Sequence, residues 1–162
     1  MILLKIIFHI NAIAARIFYK IIYGKSLKIG KGTTFRKGFS LIIMKGKIVI
    51  GENCFFNNYC SLASTNSITI GNGTLFGENV KVYDHNHIYA DIDVPIKDQG
   101  YKHAPIVIGN HCWIASNVVI LKGVTIGDNA VIGAGCIIHE SVPANTVVIH
   151  KQQLEKRLTK KP

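Results

Sequence analysis

The apolar positions of this chain beat in sixes. Ile108, Ile114, Ile120, Ile126, Ile132 and Ile138 stand a strict six residues apart. A second column of small or β-branched residues runs four places later, at Cys112, Val118, Val124, Ala130, Cys136 and Val142. A helix repeats about every 3.6 residues and an alternating strand every two or so, and neither produces this beat. A parallel β-helix does: each six-residue unit is a short strand and a corner, and stacked coils bury the isoleucines as a ladder. Gly109, Asn110, Gly127, Asp128, Asn129 and Gly133, between the columns, are residue types that tolerate corner conformations.

The first column continues upstream as Ile29, Phe35, Leu41, then Ile50, Phe56, Leu62, then Ile70, Phe76, Val82. With the downstream run this makes five triplets, separated by gaps of 9, 8, 26 and 6 residues, so every insertion falls at one and the same corner. Three sides per coil predict a triangular prism. At about 4.8 Å per coil, five coils stand roughly 24 Å tall, one domain with a narrow packed core.

Residues 1–23, MILLKIIFHINAIAARIFYKIIY, predict a helix closed by Gly24. Lys5, His9, Arg16 and Lys20 fall on one polar stripe at helical spacing, and apolar residues fill the rest. The stripe interrupts the apolar run, which argues against a secretory signal or a membrane-spanning helix. Two roles fit: a cap over the open end of the β-helix, hiding sheet edges, or a basic amphipathic helix lying on an anionic membrane.

Charge bears on that choice. Residues 1–51 carry ten Lys or Arg and no acid, residues 52–150 four basic against eight acidic side chains, and residues 151–162 five against one. The formal charge of +10 therefore belongs to the two ends. The mildly acidic body has no basic stripe with interleaved aromatics, which argues against a nucleic-acid surface on the solenoid. Cys54, Cys60, Cys112 and Cys136 all occupy the second inward column and read as core thiols rather than as disulfides or metal ligands. Free buried thiols fit a reducing compartment, the cytoplasm.

Residues 83–107, YDHNHIYADIDVPIKDQGYKHAPIV, break the period with twenty residues beyond a hexad. They gather Asp84, Asp91, Asp93 and Asp98 beside His85, His87 and His103. An excursion of that length on a regular solenoid is usually functional.

The isoleucine-led hexads, the excursion containing VYDHNH, and the run IVIGNHCWIASNVVILKGVTIGDNAVIGAG resemble the hexapeptide-repeat acyltransferases with left-handed parallel β-helices. Within them the chain is most similar to the sugar O-acetyltransferases, those of maltose, galactosides and bacterial surface polysaccharides, over about residues 27 to 149. The resemblance implies an all-β, left-handed parallel β-helix of about five triangular coils at 25–150. An N-terminal helix at 1–24 precedes it, and a basic tail at 151–162 follows.

It also implies a site. His87, eighth in VKVYDHNH from Val80, matches the family's general base for the acceptor hydroxyl, and His85 is its rival. Asn57 matches an asparagine that helps hold that hydroxyl. Trp113, the chain's single tryptophan, matches one beside the acyl and acceptor pocket. Ser116 matches a residue whose backbone N–H lies near the thioester, and Ala134 one whose backbone meets the pantetheine arm. The implied acyl donor is acetyl-CoA, with no metal; transfer is direct, and the assembly is a homotrimer with CoA between adjacent prisms.

The chain departs from its relatives in places. The span from His87 to Trp113 is two residues longer, Glu140 stands where a lysine is usual, and the Gly-x-Pro turn of the tail is missing. Lys151, Lys156 and Arg157 are the candidates to hold CoA phosphates instead. Three alternatives stay open. One is N-acetylation of an amino sugar. Another is a zinc hydratase of the carbonic-anhydrase type using His85, His87, His103 and His111, for which the usual His-x4-His pair is absent. The third is a catalytically silent scaffold.

Overall fold

The structure is a computed structural model describing residues 2–151, with side chains from residue 12 onward. Strands of two to four residues alternate with tight corners and stack into three parallel sheets, the faces of a triangular prism. The first face carries Leu27–Ile29, Lys47–Ile50, Ser67–Ile70, Ile106–Ile108 and Thr125–Ile126. The second carries Thr34–Phe35, Phe55–Phe56, Leu75–Phe76, Trp113–Ile114, Val131–Ile132 and Val147–Val148. The third carries Ser40–Ile43, Ser61–Ser64, Lys81–Tyr83, Val119–Leu121 and Ile137–Ile138.

The register is that of the six-residue columns. Ile29, Ile50, Ile70, Ile108 and Ile126 pair in turn on the first face. Phe35, Phe56, Phe76, Ile114 and Ile132 do so on the second, and Leu41, Leu62, Val82, Ile120 and Ile138 on the third. All are buried except Ile29, which is part-buried against the same core. Val142 bridging Ile126, and Val147–Val148 pairing with Val131–Ile132, add part of a sixth coil that the column count did not include.

Two of the three corners carry a left-handed residue in each coil. Gly32, Asn53, Gly73, His111, Asn129 and Asn145 supply it between the first and second faces; Gly38, Tyr59, Asn79, Asn117 and Gly135 supply it between the second and third. Asparagine and glycine adopt this conformation at little cost. Tyr59, at φ +63°, does not belong to that set and packs its ring over Gly38, where an added Cβ would meet it at 2.4 Å.

The four cysteines are free and buried. The thiols of Cys54, Cys60 and Cys112 donate to the carbonyls of Gly71, Gly77 and Gly127 in the next coil. Burial pushes these three thiols up, and they are not poised as thiolates.

Helix α1 (Ile2–Tyr23) ends at Gly24, φ +50°, and lies across the first coil. Ala12 is buried, and Arg16 Nη2 donates to the carbonyls of Ile29 and Gly30 at 2.9 and 2.8 Å. The hydroxyls of Tyr19 and Tyr23 donate to Phe39 and Leu41 carbonyls at 3.0 and 3.1 Å. The helix thus caps the prism and satisfies polar groups of the end coil. Helical spacing set Arg16 on a polar stripe, and the structure turns it inward to this work. Among the described residues no helix is long and apolar enough to cross a membrane.

Candidate active site

The excursion leaves the third face after Tyr83 and rejoins the first at Ile106. It is built on an antiparallel hairpin in which His85 pairs with His103, Asn86 with Lys102 and His87 with Tyr101. Alternation along the strands puts His85, His87, Tyr101 and His103 on one side of the hairpin. Tyr101 joins the two candidate bases, its ring 5.1 Å from that of His85 and 4.6 Å from that of His87.

Asp84 anchors the hairpin. Spacing alone grouped it with the polar loop residues, but its carboxylate is wholly buried. It accepts hydrogen bonds from Ser64 Oγ at 2.7 Å and from the backbone N–H groups of Thr65 and Asn66 at 2.8 Å each. His85 Nδ1 lies 3.0 Å from it, so His85 is the oriented histidine, with Nδ1 carrying the proton and Nε2 turned away. His87 is the exposed one. It borders a cleft of about 330 Å³ whose lining includes Ile88, Tyr89, Lys102 and Lys122.

Burial pushes the Asp84 carboxyl up, but the hydrogen bonds from Thr65, Ser64, Asn66 and His85 outweigh it, and the group sits below the ordinary carboxylate range. A depressed carboxyl stabilises the fold above its unfolded pKa, and that contribution is lost as pH falls through the folded value. Asp84→Asn is expected to cost about 1–3 kcal/mol at neutral pH, because an amide cannot accept from all these donors. The loss should shrink in acid, as urea titrations at stepped pH would show. An equal loss at every pH would contradict the charge-based account.

The other predicted residues lie elsewhere on the prism. Trp113 points out of the second face, about half exposed, between Leu75 and Val131 of the neighbouring coils. Asn57 opens the corner from the second to the third face; its Oδ1 accepts from Asn58 N at 2.9 Å and meets Arg36 Nη1 at 3.5 Å, which leaves Nδ2 as the end to meet a ligand. Ser116 and Ala134 occupy the same corner in the fourth and fifth coils, one stacked beside the other by the register of Ile114 on Ile132. On the other side of Ser116 stands Gly77 of the third coil, which lets that coil approach closely, since a Cβ there would come within 2.5 Å of Ser116 N. Lys151 is exposed, while Lys156 and Arg157 lie outside the described residues.

One chain therefore presents two candidate half-sites. Asn57, Trp113, Ser116 and Ala134 line the second face and its far corner, whereas the histidines stand at the next corner round. The third face lies between them, about 10 Å of strand. Among the described residues no three or more His, Cys, Asp or Glu side chains are grouped to hold a metal ion. His111, named for the zinc reading, is instead a left-handed corner residue at φ +54°.

Known proteins share this architecture. The family profile described as "Bacterial transferase hexapeptide (six repeats)" matches residues 105–140. A protein of Escherichia coli named as a lipopolysaccharide biosynthesis O-acetyl transferase, WbbJ, is 32% identical over 131 residues, covering 76% of this chain and 67% of its own length. The chain belongs to the hexapeptide-repeat transferase family.

Another member, the galactoside O-acetyltransferase of E. coli, is 40% identical over 101 residues, covering 62% of this chain and 48% of its own length. Among solved members, the hexapeptide-repeat acetyltransferase VCA0836 of Vibrio cholerae superimposes with a TM-score of 0.66 at 31% identity, covering 74% of this chain and 66% of its own. A second structure of that protein, complexed with acetyl coenzyme A, gives 0.63 at 28% identity over 75% and 64%. This hexapeptide-repeat chain thus spans from about half to two thirds of the length of these relatives.

Proposed function

We propose that the protein is an acetyl-CoA-dependent O-acetyltransferase acting on a sugar hydroxyl, of the kind that decorates bacterial surface polysaccharide. The observation that carries this reading is the coexistence, on one hexapeptide prism, of a histidine hairpin with a tryptophan- and asparagine-bearing edge, in a family whose matched relatives are named O-acetyltransferases.

His87 takes the proton from the sugar hydroxyl, and the oxygen attacks the thioester carbonyl of acetyl-CoA. The backbone N–H at Ser116 stabilises the resulting oxyanion. Collapse of that intermediate breaks the C–S bond, the acetyl group stays on the sugar oxygen, and the CoA sulfur leaves with the proton that His87 returns. Asn57 Nδ2 orients the hydroxyl, Trp113 walls the pocket, and Ala134 and Lys151 lie along the CoA arm. The cysteines are buried in the core, which leaves direct transfer as the route. A second assignment of the base is favoured by one contact: Asp84 on Nδ1 of His85 leaves that histidine's Nε2 ready to accept a proton.

We propose further that the enzyme is a homotrimer, working on the cytoplasmic side at the inner face of a membrane. The separation of the two half-sites supports the trimer, because a neighbouring copy can bring its histidine corner to this chain's tryptophan edge and supply the wall that a convex prism lacks. Sedimentation should give the mass of three chains, and a monomer that still turned over acetyl-CoA would sink the assembly. The reaction itself is tested by following release of the CoA thiol with a panel of free, nucleotide-linked and lipid-linked sugars. Release dependent on one sugar class is expected, whereas none above hydrolysis would reject the activity.

A further inference from the structure

The prism-facing residues of α1 are accounted for: Ala12, Arg16, Tyr19 and Tyr23 seat the helix on the first coil. Its outer side carries Ile13, Ile17, Phe18, Ile21 and Ile22, between 49% and 77% exposed. Ile13, Ile17 and Ile21 recur at four-residue spacing, and Phe18 and Ile22 make the adjoining row, so the five form one continuous strip. Single exposed apolar residues are ordinary, but a contiguous strip of this kind marks an interaction surface.

The border of the strip is basic. Lys20 and Arg16 share a cleft with Ile17 and Ile21, and Lys20, Lys25 and Lys28 line the next one. The first acidic residue of the whole chain is Glu52. We infer that the strip is a docking surface for an anionic lipid bilayer, with α1 lying in the headgroup region and the prism standing end-on above it. A second copy of the chain is the poorer occupant, because two strips face to face would bring their lysines together with no acid from either helix to pair them. Anionic headgroups supply that missing charge. Cyclic symmetry would turn all three α1 ends of the proposed trimer toward the same side.

The inference rests on the acetyl-transfer reading for its consequence. Asn57 sits in the second coil, so a helix about 10 Å thick and two coils of about 4.8 Å put it roughly 20 Å from the membrane-facing side of α1, and about 10 Å above the headgroups among which the helix lies. That height suits an acceptor sugar held on a membrane lipid better than one free in solution.

Flotation of the full-length protein with vesicles tests the surface. The protein should float with vesicles containing phosphatidylglycerol, lose binding as salt rises, and stay behind with pure phosphatidylcholine. The Ile17→Ser/Ile21→Ser double variant should fold normally, since both side chains are exposed, and should partition at least about tenfold less. Lys20→Gln and Lys25→Gln should each cost about fivefold on the anionic vesicles alone. Equal flotation on both lipids, no flotation, or an unaffected double variant would overturn the inference. So would a double variant whose sedimentation mass falls, which would mean that another copy covers the strip. CoA release with soluble sugars, measured on the same preparations, separates the two claims. A protein that transfers acetyl but never floats loses only the lipid surface, and one that floats without transferring loses the reaction.

Discussion

Replacing His87 by Ala is expected to lower kcat by about 10²- to 10⁴-fold, the usual contribution of a positioned general base, while the affinity for acetyl-CoA stays near that of the unaltered enzyme. The fold should be untouched, because His87 lies on the hairpin outside the buried columns and its side chain is exposed. Trp113→Ala should behave differently, raising KM more than it lowers kcat, as a pocket wall does. His85→Ala decides between the neighbours. It should cost under about tenfold if His85 only holds the hairpin to Asp84, below the general-base range. Loss of transfer in His85→Ala with His87→Ala still active would hand the role to the Asp84-held imidazole. Steady-state kinetics on the three variants, with circular dichroism as the folding control, is sufficient.

The second large effect is on stability. Phe56 is fully buried at the centre of an aromatic stack, its ring 4.3 Å from Phe76, 5.4 Å from Phe35 and 5.1 Å from Phe39. Phe56→Ala leaves a cavity that neighbours fixed by coil stacking cannot collapse into, and should cost about 3–5 kcal/mol. Leu75→Ala, on the outward side of the same sheet and about half exposed, should change stability by about 0.5 kcal/mol or less. Urea unfolding of both compares an inner rung with an outer one. Equal costs would mean that the inward ladder is not what holds the coils together.

The ladder was legible in the sequence because a solenoid repeats its local rule: residues six apart occupy the same place on successive faces, so Ile108 to Ile138 and the upstream triplets could be set in register by counting. The helix was legible for a similar reason. The direction of Arg16 was not, because a stripe of spacing says which residues share a side but not whether that side meets water or carbonyls. Asp84 was harder still. Its partners Ser64, Thr65 and Asn66 lie about twenty residues away in the preceding coil, and nothing between Tyr83 and His85 signals a buried charge. The hairpin pairing of His87 with Tyr101 was hidden in the same way, since the tie between them crosses an irregular span. The site residues on the prism could be assigned only by resemblance, and their division between two corners needed the topology.

The proposed reaction transfers an acetyl group from acetyl-CoA to a sugar oxygen. The product formed with the best acceptor should be heavier by one acetyl group and should lose it in mild alkali, as an ester does. A product stable to alkali would carry an amide and make the enzyme an N-acetyltransferase, and an acceptor recovered unchanged while CoA thiol accumulates would show that no sugar is acetylated at all.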